Sequence, residues 1–130
     1  MKAKLYTDGG ARGNPGPAGI GVVIEGERPA EVSEYIGETT NNVAEYKALV
    51  RGLQEAAKLG YTDLEILCDS QLIVEQIKGK YKVKQAHLKP LREQAAALML
   101  EFKNVSIAHI PREKNSEADA LVNQAIDAAV

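Results

Sequence analysis

Along the first forty positions, apolar and polar residues follow the short period of extended chain. Lys4–Asp8 reads as a strand ending at the Gly9-Gly10 turn signal. After the turn-rich run Gly13–Pro17, Ile20–Ile24 resumes as a β-branched strand. In Glu31–Gly37, Val32, Glu34 and Ile36 alternate with Ser33 and Tyr35, which predicts a third strand. Short connections make these three an antiparallel meander. From Asn42 the period lengthens: Val43, Tyr46, Leu49, Val50, Leu53, Ala56 and Ala57 recur at helical spacing until Gly60. Leu64–Cys68 predicts a strand, Ser70–Lys78 a short helix, Pro90–Phe102 a second amphipathic helix, Val105–Ile110 a strand and Glu117–Ala129 a last helix. A meander followed by strands alternating with helices predicts an α/β domain with a mixed sheet. No repeat, low-complexity tract or linker interrupts the chain, so residues 1–130 read as one domain.

Composition narrows the class. The chain has 130 residues, 45% hydrophobic and 26% charged, enough for a self-supporting core and unlike a disordered chain. The longest apolar runs, such as Ala95–Leu100, fall far short of a membrane span, and the chain's start has no signal-peptide core. The one cysteine, Cys68, excludes an internal disulfide and reads as a small buried hydrophobe. Together these point to an intracellular, cytoplasmic protein with no membrane association. Net charge is −2, yet Lys78–Arg92 holds six of the sixteen basic residues and no acid. Such asymmetry suits docking of an anionic polymer, and it equally suits a solvated loop.

Four acids stand at the ends of predicted elements. Asp8 closes the first strand and Asp69 the fourth, while Glu45 and Asp119 lie in the first turns of helices. In sheets with crossover helices, strand C-termini and the following helix N-termini gather along one edge, where ligands bind. Carboxylates gathered there repel one another unless a cation sits between them, and hard divalent ions such as magnesium or manganese suit oxygen ligands. Each acid also has a local explanation. Asp8 fits a turn, Asn42–Glu45 and Ser116–Asp119 fit helix-start capping boxes, and Asp69 fits an N-cap.

The surrounding residues decide between these readings. Tyr6–Gly16, Thr39–Glu45, Cys68–Gln71 and Asn115–Leu121 resemble, in order, the four motifs of the type 1 ribonuclease H family. The resemblance extends from Lys4 to about Ala125. It implies a ribonuclease H-like fold: a five-stranded mixed sheet, antiparallel meander plus parallel strands, flanked by helices. It further implies an endoribonuclease that cleaves the RNA strand of RNA–DNA hybrids, leaving 5′-phosphate and 3′-hydroxyl ends. Asp8, Glu45, Asp69 and Asp119 match the family's metal-binding carboxylates, which hold two Mg²⁺ or Mn²⁺ ions, with Asp8 as the bridging ligand. Gly9, Asn14, Thr40, Asn41, Asn42, Ser70 and Gln71 match positions that touch the hybrid's minor groove and phosphates.

Two departures from the family pattern bear on the site. Many members carry a mobile-loop histidine ahead of the last aspartate. His109 falls at that interval but inside a predicted strand, where a satisfied or partly buried histidine is commoner, and Arg112 offers an alternative positive charge. The chain has no tryptophan and so resembles a compact form, expected to lack the large basic protrusion and the N-terminal hybrid-binding domain of some members, with Lys80, Lys82 and Lys84 as a reduced docking loop. A binding module that recognises hybrids or double-stranded RNA without efficient cleavage is a second reading. A Holliday-junction or transposase-type nuclease on the same scaffold is a third. The preferred metal, the cleavage sites and the choice between monomer and homodimer are not legible in the sequence.

Overall fold

The computed structural model describes all 130 residues. Three strands open the chain: β1 (Lys2–Ala11), β2 (Gly16–Gly26) and β3 (Ala30–Thr39). They are followed by α1 (Asn41–Lys58), β4 (Asp63–Cys68), α2 (Gln71–Ile77), α3 (Lys89–Met99), β5 (Asn104–His109) and α4 (Ser116–Ala129). Strand order is β3-β2-β1-β4-β5. β1, β2 and β3 pair antiparallel, whereas β4 runs parallel to both β1 and β5. The predicted mixed five-stranded sheet is therefore present, with every predicted element in its place.

The two faces of the sheet are covered differently. On one, Leu5, Val22, Ile24 and Ile66 pack with Leu49 and Leu53 of α1 and with Ile73 and Val74 of α2 in the main core. Burying each such side chain contributes about 1.5–3 kcal/mol. On the other, α4 lies across β2 and β3, close enough that a Cβ on Gly21 would stand 2.1 Å from the Ala118 carbonyl oxygen. That approach sets where the first turn of α4, and Asp119 with it, meets the sheet. No helix is long and apolar enough to cross a membrane.

Several local expectations need correcting. Gly9 and Gly10 do not turn the chain: β1 continues through both to Ala11, paired with β2 throughout. The register between β2 and β3 shifts at Ala18/Gly19, where Ile36 falls between the paired residues Tyr35 and Gly37, so the alternation breaks there. Glu34 accepts a hydrogen bond from Arg51 of α1 at 3.3 Å, which accounts for an acid at an inward-reading position. The second amphipathic helix ends at Met99, leaving Phe102 buried just beyond it.

Candidate active site

The local explanations for the acids fail one by one. Thr40, not Asn42, caps α1, its side chain accepting from the Val43 N–H, so Glu45 lies beyond a capping box. Ser70, not Asp69, caps α2, accepting from the Ile73 N–H. Asp8 lies within a strand instead of a turn. At the start of α4 there is no side-chain capping bond at all. The carboxylates are therefore not consumed by helix ends or turns.

Chain topology then brings three of them together. β1 and β4 run parallel with Thr7 opposite Cys68, so Asp8 and Asp69 follow side by side. Glu45 reaches them from α1, where its Oε1 accepts the Gly9 N–H at 3.0 Å. Ligand oxygens of Asp8, Glu45 and Asp69 all lie within 4.8 Å of one another. The close crossing of α1 over β1 depends on Gly9, because a Cβ there would fall 2.2 Å from the Ala44 carbonyl oxygen. Gly9, matched above to a position that touches the hybrid, is buried, and its N–H is engaged by Glu45. Asp119, exposed on α4, lines the same cleft, and its carboxylate is held by Asn123 Nδ2 at 3.5 Å.

The electrostatics of this cluster are those of crowded, desolvated acids. Asp8 is 7% exposed, and burial, then the charges of Asp69 and Asp119, push its carboxyl up to about 8. Burial, Asp8 and Asp69 raise Glu45 well above the usual carboxylate range, opposed by the Gly9 N–H and the charge of Arg112. Carboxylates so placed either hold protons or hold a cation. An all-oxygen donor set carried by strands and helices fits a hard divalent ion better than a thiophilic metal. Cys68, next to the cluster, is buried, and burial pushes its thiol up, away from reactivity.

The cleft has a volume of about 400 Å³ and is also lined by Gly10, Arg12, Asn41, Arg112 and Asn123. Arg12 ties its rim to α4 through Asp127 at 2.6 Å. Arg112 lines the cleft, and His109 does not. His109 ends β5 opposite Cys68 and is exposed, not the satisfied or partly buried residue expected of a strand histidine. A hollow of 760 Å³ elsewhere, bounded by Lys2, Lys4, Glu25, Asp63 and Glu65, mixes both signs of charge and gathers no such carboxylate set.

The remaining predicted residues rim the cleft or flank it. Asn14 Oδ1 accepts the Asn41 N–H at 3.0 Å, and Asn41 Oδ1 accepts the Ala11 N–H at 2.9 Å. This pair of bonds clasps the β1–β2 connection to the start of α1. Asn42 is half-buried, and Gln71 is exposed at the start of α2. Lys80, Lys82 and Lys84 are exposed and share a groove of about 530 Å³ with Asn42, Leu72, Gln76 and Tyr81. Sequence reasoning passed over Asn115. It is fully buried between the cluster and α4, donating from Nδ2 to Asp69 Oδ2 at 3.0 Å. An asparagine immediately before a helix was the available signal, but it reads as a cap.

Comparison with known proteins agrees with this geometry. The family described as reverse transcriptase-like matches residues 6–125. The bifunctional protein Rv2228c of Mycobacterium tuberculosis is 47% identical over 99% of this chain, which spans 36% of that protein's length. Ribonuclease HI of Halobacterium salinarum is 44% identical over 98% of this chain and 66% of its own. LC11-RNase H1, solved in complex with an RNA/DNA hybrid, superposes with a TM-score of 0.92 at 52% identity, covering 98% of each chain. By its motifs, its fold and these relatives, the chain belongs to the type 1 ribonuclease H family.

Proposed function

We propose that this chain is a metal-dependent endoribonuclease that cleaves the RNA strand of RNA–DNA hybrids, leaving 5′-phosphate and 3′-hydroxyl ends. The observation that carries the reading is the cluster of buried Asp8 with half-buried Glu45 and Asp69, with ligand oxygens within 4.8 Å and Asp119 on the same cleft. A module built only to bind would gain nothing from acids facing phosphates. The hybrid bound to LC11-RNase H1, a protein of the same fold, supports the choice of substrate.

Asp8, Glu45, Asp69 and Asp119 would hold two Mg²⁺ or Mn²⁺ ions, which when bound supply an activated water and neutralise the departing 3′-oxygen. In the reaction, water oxygen bonds to phosphorus, the bond from phosphorus to the 3′-oxygen breaks, and that oxygen takes a proton. The Gly9 N–H fixes the orientation of Glu45 through Oε1. Arg112, on the cleft wall, would supply positive charge beside the scissile phosphate, and His109 lies outside that lining.

Recognition of the hybrid follows from which hydrogen-bonding groups remain free. The Oδ1 atoms of Asn14 and Asn41 already accept backbone N–H groups, so their amides offer Nδ2 donors to the cleft rim. A ribose 2′-hydroxyl can accept such a donor, and DNA has none to offer. Thr40, Asn42, Ser70 and Gln71 extend this rim along the starts of α1 and α2. Lys80, Lys82 and Lys84 neutralise phosphates farther along the duplex.

The test is cleavage of a labelled RNA–DNA hybrid, with duplex RNA and duplex DNA as controls, titrated in magnesium and then manganese. Hybrid-selective cutting with 5′-phosphate products is expected. Tight binding without cutting in either metal would make the chain a recognition module.

A further inference from the structure

Asn115 stands one residue before α4 and is 1% exposed. An asparagine there ordinarily turns its side-chain oxygen onto the N–H groups of the first helical turn. Here that bond is not made, and the buried Oδ1 has no hydrogen-bond partner. Nδ2 donates instead to the Thr7 carbonyl oxygen at 2.9 Å and to Asp69 Oδ2 at 3.0 Å. Both partners are acceptors only, so they fix which end of the amide faces them. Helix stability alone favours the opposite arrangement.

The two bonds connect the parts that carry the acids. Thr7 precedes Asp8 in β1, Asp69 follows β4, and Asn115 itself leads into the turn of α4 that bears Asp119. A carboxylate tethered through one oxygen loses rotational freedom while its other oxygen remains uncommitted. The donor is also neutral. A lysine or arginine in its place would orient Asp69 but offset the negative charge that attracts a cation.

We propose that Asn115 is a positioning residue for metal binding, holding the Asp69 carboxylate in register with Asp8 through the paired Nδ2 bonds. This rests on the reading of Asp69 as a metal ligand. Hydrogen bonds of this kind to ligating groups typically control about 10- to 100-fold in metal affinity.

The experiment measures Mn²⁺ affinity of the free protein by calorimetry, beside kcat and KM on the hybrid and the thermal midpoint. Asn115→Ala removes the amide. Asn115→Ser also removes the reach to Asp69 but supplies a good helix cap, so it keeps the fold of α4 intact. Ser33→Ala is the control, because Ser33 Oγ donates to the Leu121 carbonyl oxygen at 2.7 Å and steadies α4 away from the acids. Both Asn115 variants are expected to bind Mn²⁺ about 10- to 100-fold more weakly. Their kcat should fall and partly recover at high Mn²⁺, with KM for hybrid changed by less than about twofold. Ser33→Ala should lower the midpoint without changing Mn²⁺ affinity. Wild-type Mn²⁺ affinity in both Asn115 variants would overturn the positioning role alone. A wild-type protein that binds Mn²⁺ but leaves hybrids intact would overturn the endonuclease reading alone, and one that binds no Mn²⁺ would overturn both.

Discussion

Two charged regions of the molecule obey opposite physics. The carboxylates of Asp8, Glu45 and Asp69 are gathered by β1, α1 and the end of β4, and burial with mutual repulsion raises Asp8 and Glu45. Lys80, Lys82 and Lys84 lie on an irregular stretch between α2 and α3, exposed and engaged in no ion pair. Like charges in water are screened and cost little to hold. Like charges taken out of water are costly, and they persist in a fold only where something else balances them. The difference teaches how each region should respond to change: a single substitution among the acids acts steeply, whereas even several among the lysines act gradually.

The steepest break is Asp8→Asn. Cleavage of hybrid should fall by at least about 10³-fold, equivalent to about 4 kcal/mol, while hybrid binding is retained or improved. Cutting retained at saturating magnesium would remove Asp8 from the chemistry. The same variant tests the electrostatics without substrate. With its carboxyl pushed up to about 8, folded Asp8 keeps a proton that the unfolded chain releases near the ordinary value of 3.8. Metal-free stability should therefore fall as pH rises from about 4 to 8, because the folded state binds more protons across that window. Asp8→Asn removes the share of this dependence that Asp8 carries and leaves the share of Glu45. It should exceed wild type in stability at pH 8, the gap closing toward pH 4. Magnesium should raise the wild-type midpoint and raise the variant's much less, as scanning calorimetry would record.

Next in size is Gly9→Ala, which reaches the acids through the backbone. The added methyl would meet the Ala44 carbonyl and push α1, with Glu45, away from β1. Overpacking of this kind costs about 1–3 kcal/mol in stability. Displacing a reacting group by an ångström can lower the rate by about 100-fold. Wild-type kcat in this variant would mean that the α1–β1 approach does not set the site.

Gly9 also marks how far the site was legible. The order of elements and the four acids could be read directly from period and motif, because both are local properties of the chain. What the acids do not do was hidden: Asp69 and Glu45 looked like caps until Ser70 and Thr40 proved to hold those positions. Gly9-Gly10 looked like a turn because the signal for a turn and for a close helix crossing is the same missing Cβ. The role of Asn115 was out of reach, since its partners Thr7 and Asp69 are 108 and 46 positions away. The exposure of His109 depends on where β5 ends and on what covers it, which no local pattern encodes.

A smaller break lies on the seam between the two regions. Tyr46, the residue after Glu45, donates from its buried hydroxyl to Gln76 Oε1 at 2.6 Å, and Gln76 lines the lysine groove. Tyr46→Phe leaves that buried oxygen unpaired and should lower stability by about 1–2 kcal/mol in urea unfolding. Because the phenyl ring keeps α1 packed, kcat should remain within about twofold of wild type. A tenfold loss of kcat would mean that the acids and the groove are coupled through this bond.

The gentlest break is Lys80→Ala, Lys82→Ala and Lys84→Ala together. Each lysine extends into solvent and binds no acid, so nothing in the folded chain is left uncompensated when the charges go. If the groove serves phosphates, KM for hybrid should rise about three- to tenfold at moderate salt, with kcat nearly unchanged. The plot of log KM against log salt should flatten by up to about 2–3 in slope, one increment for each counterion no longer released. KM measured from 50 to 300 mM salt reads both effects at once. A large fall in kcat with an unchanged salt slope would be the signature of the first region, not the second: these lysines would then act on the reacting phosphate, and the division between buried chemistry and exposed docking would fail.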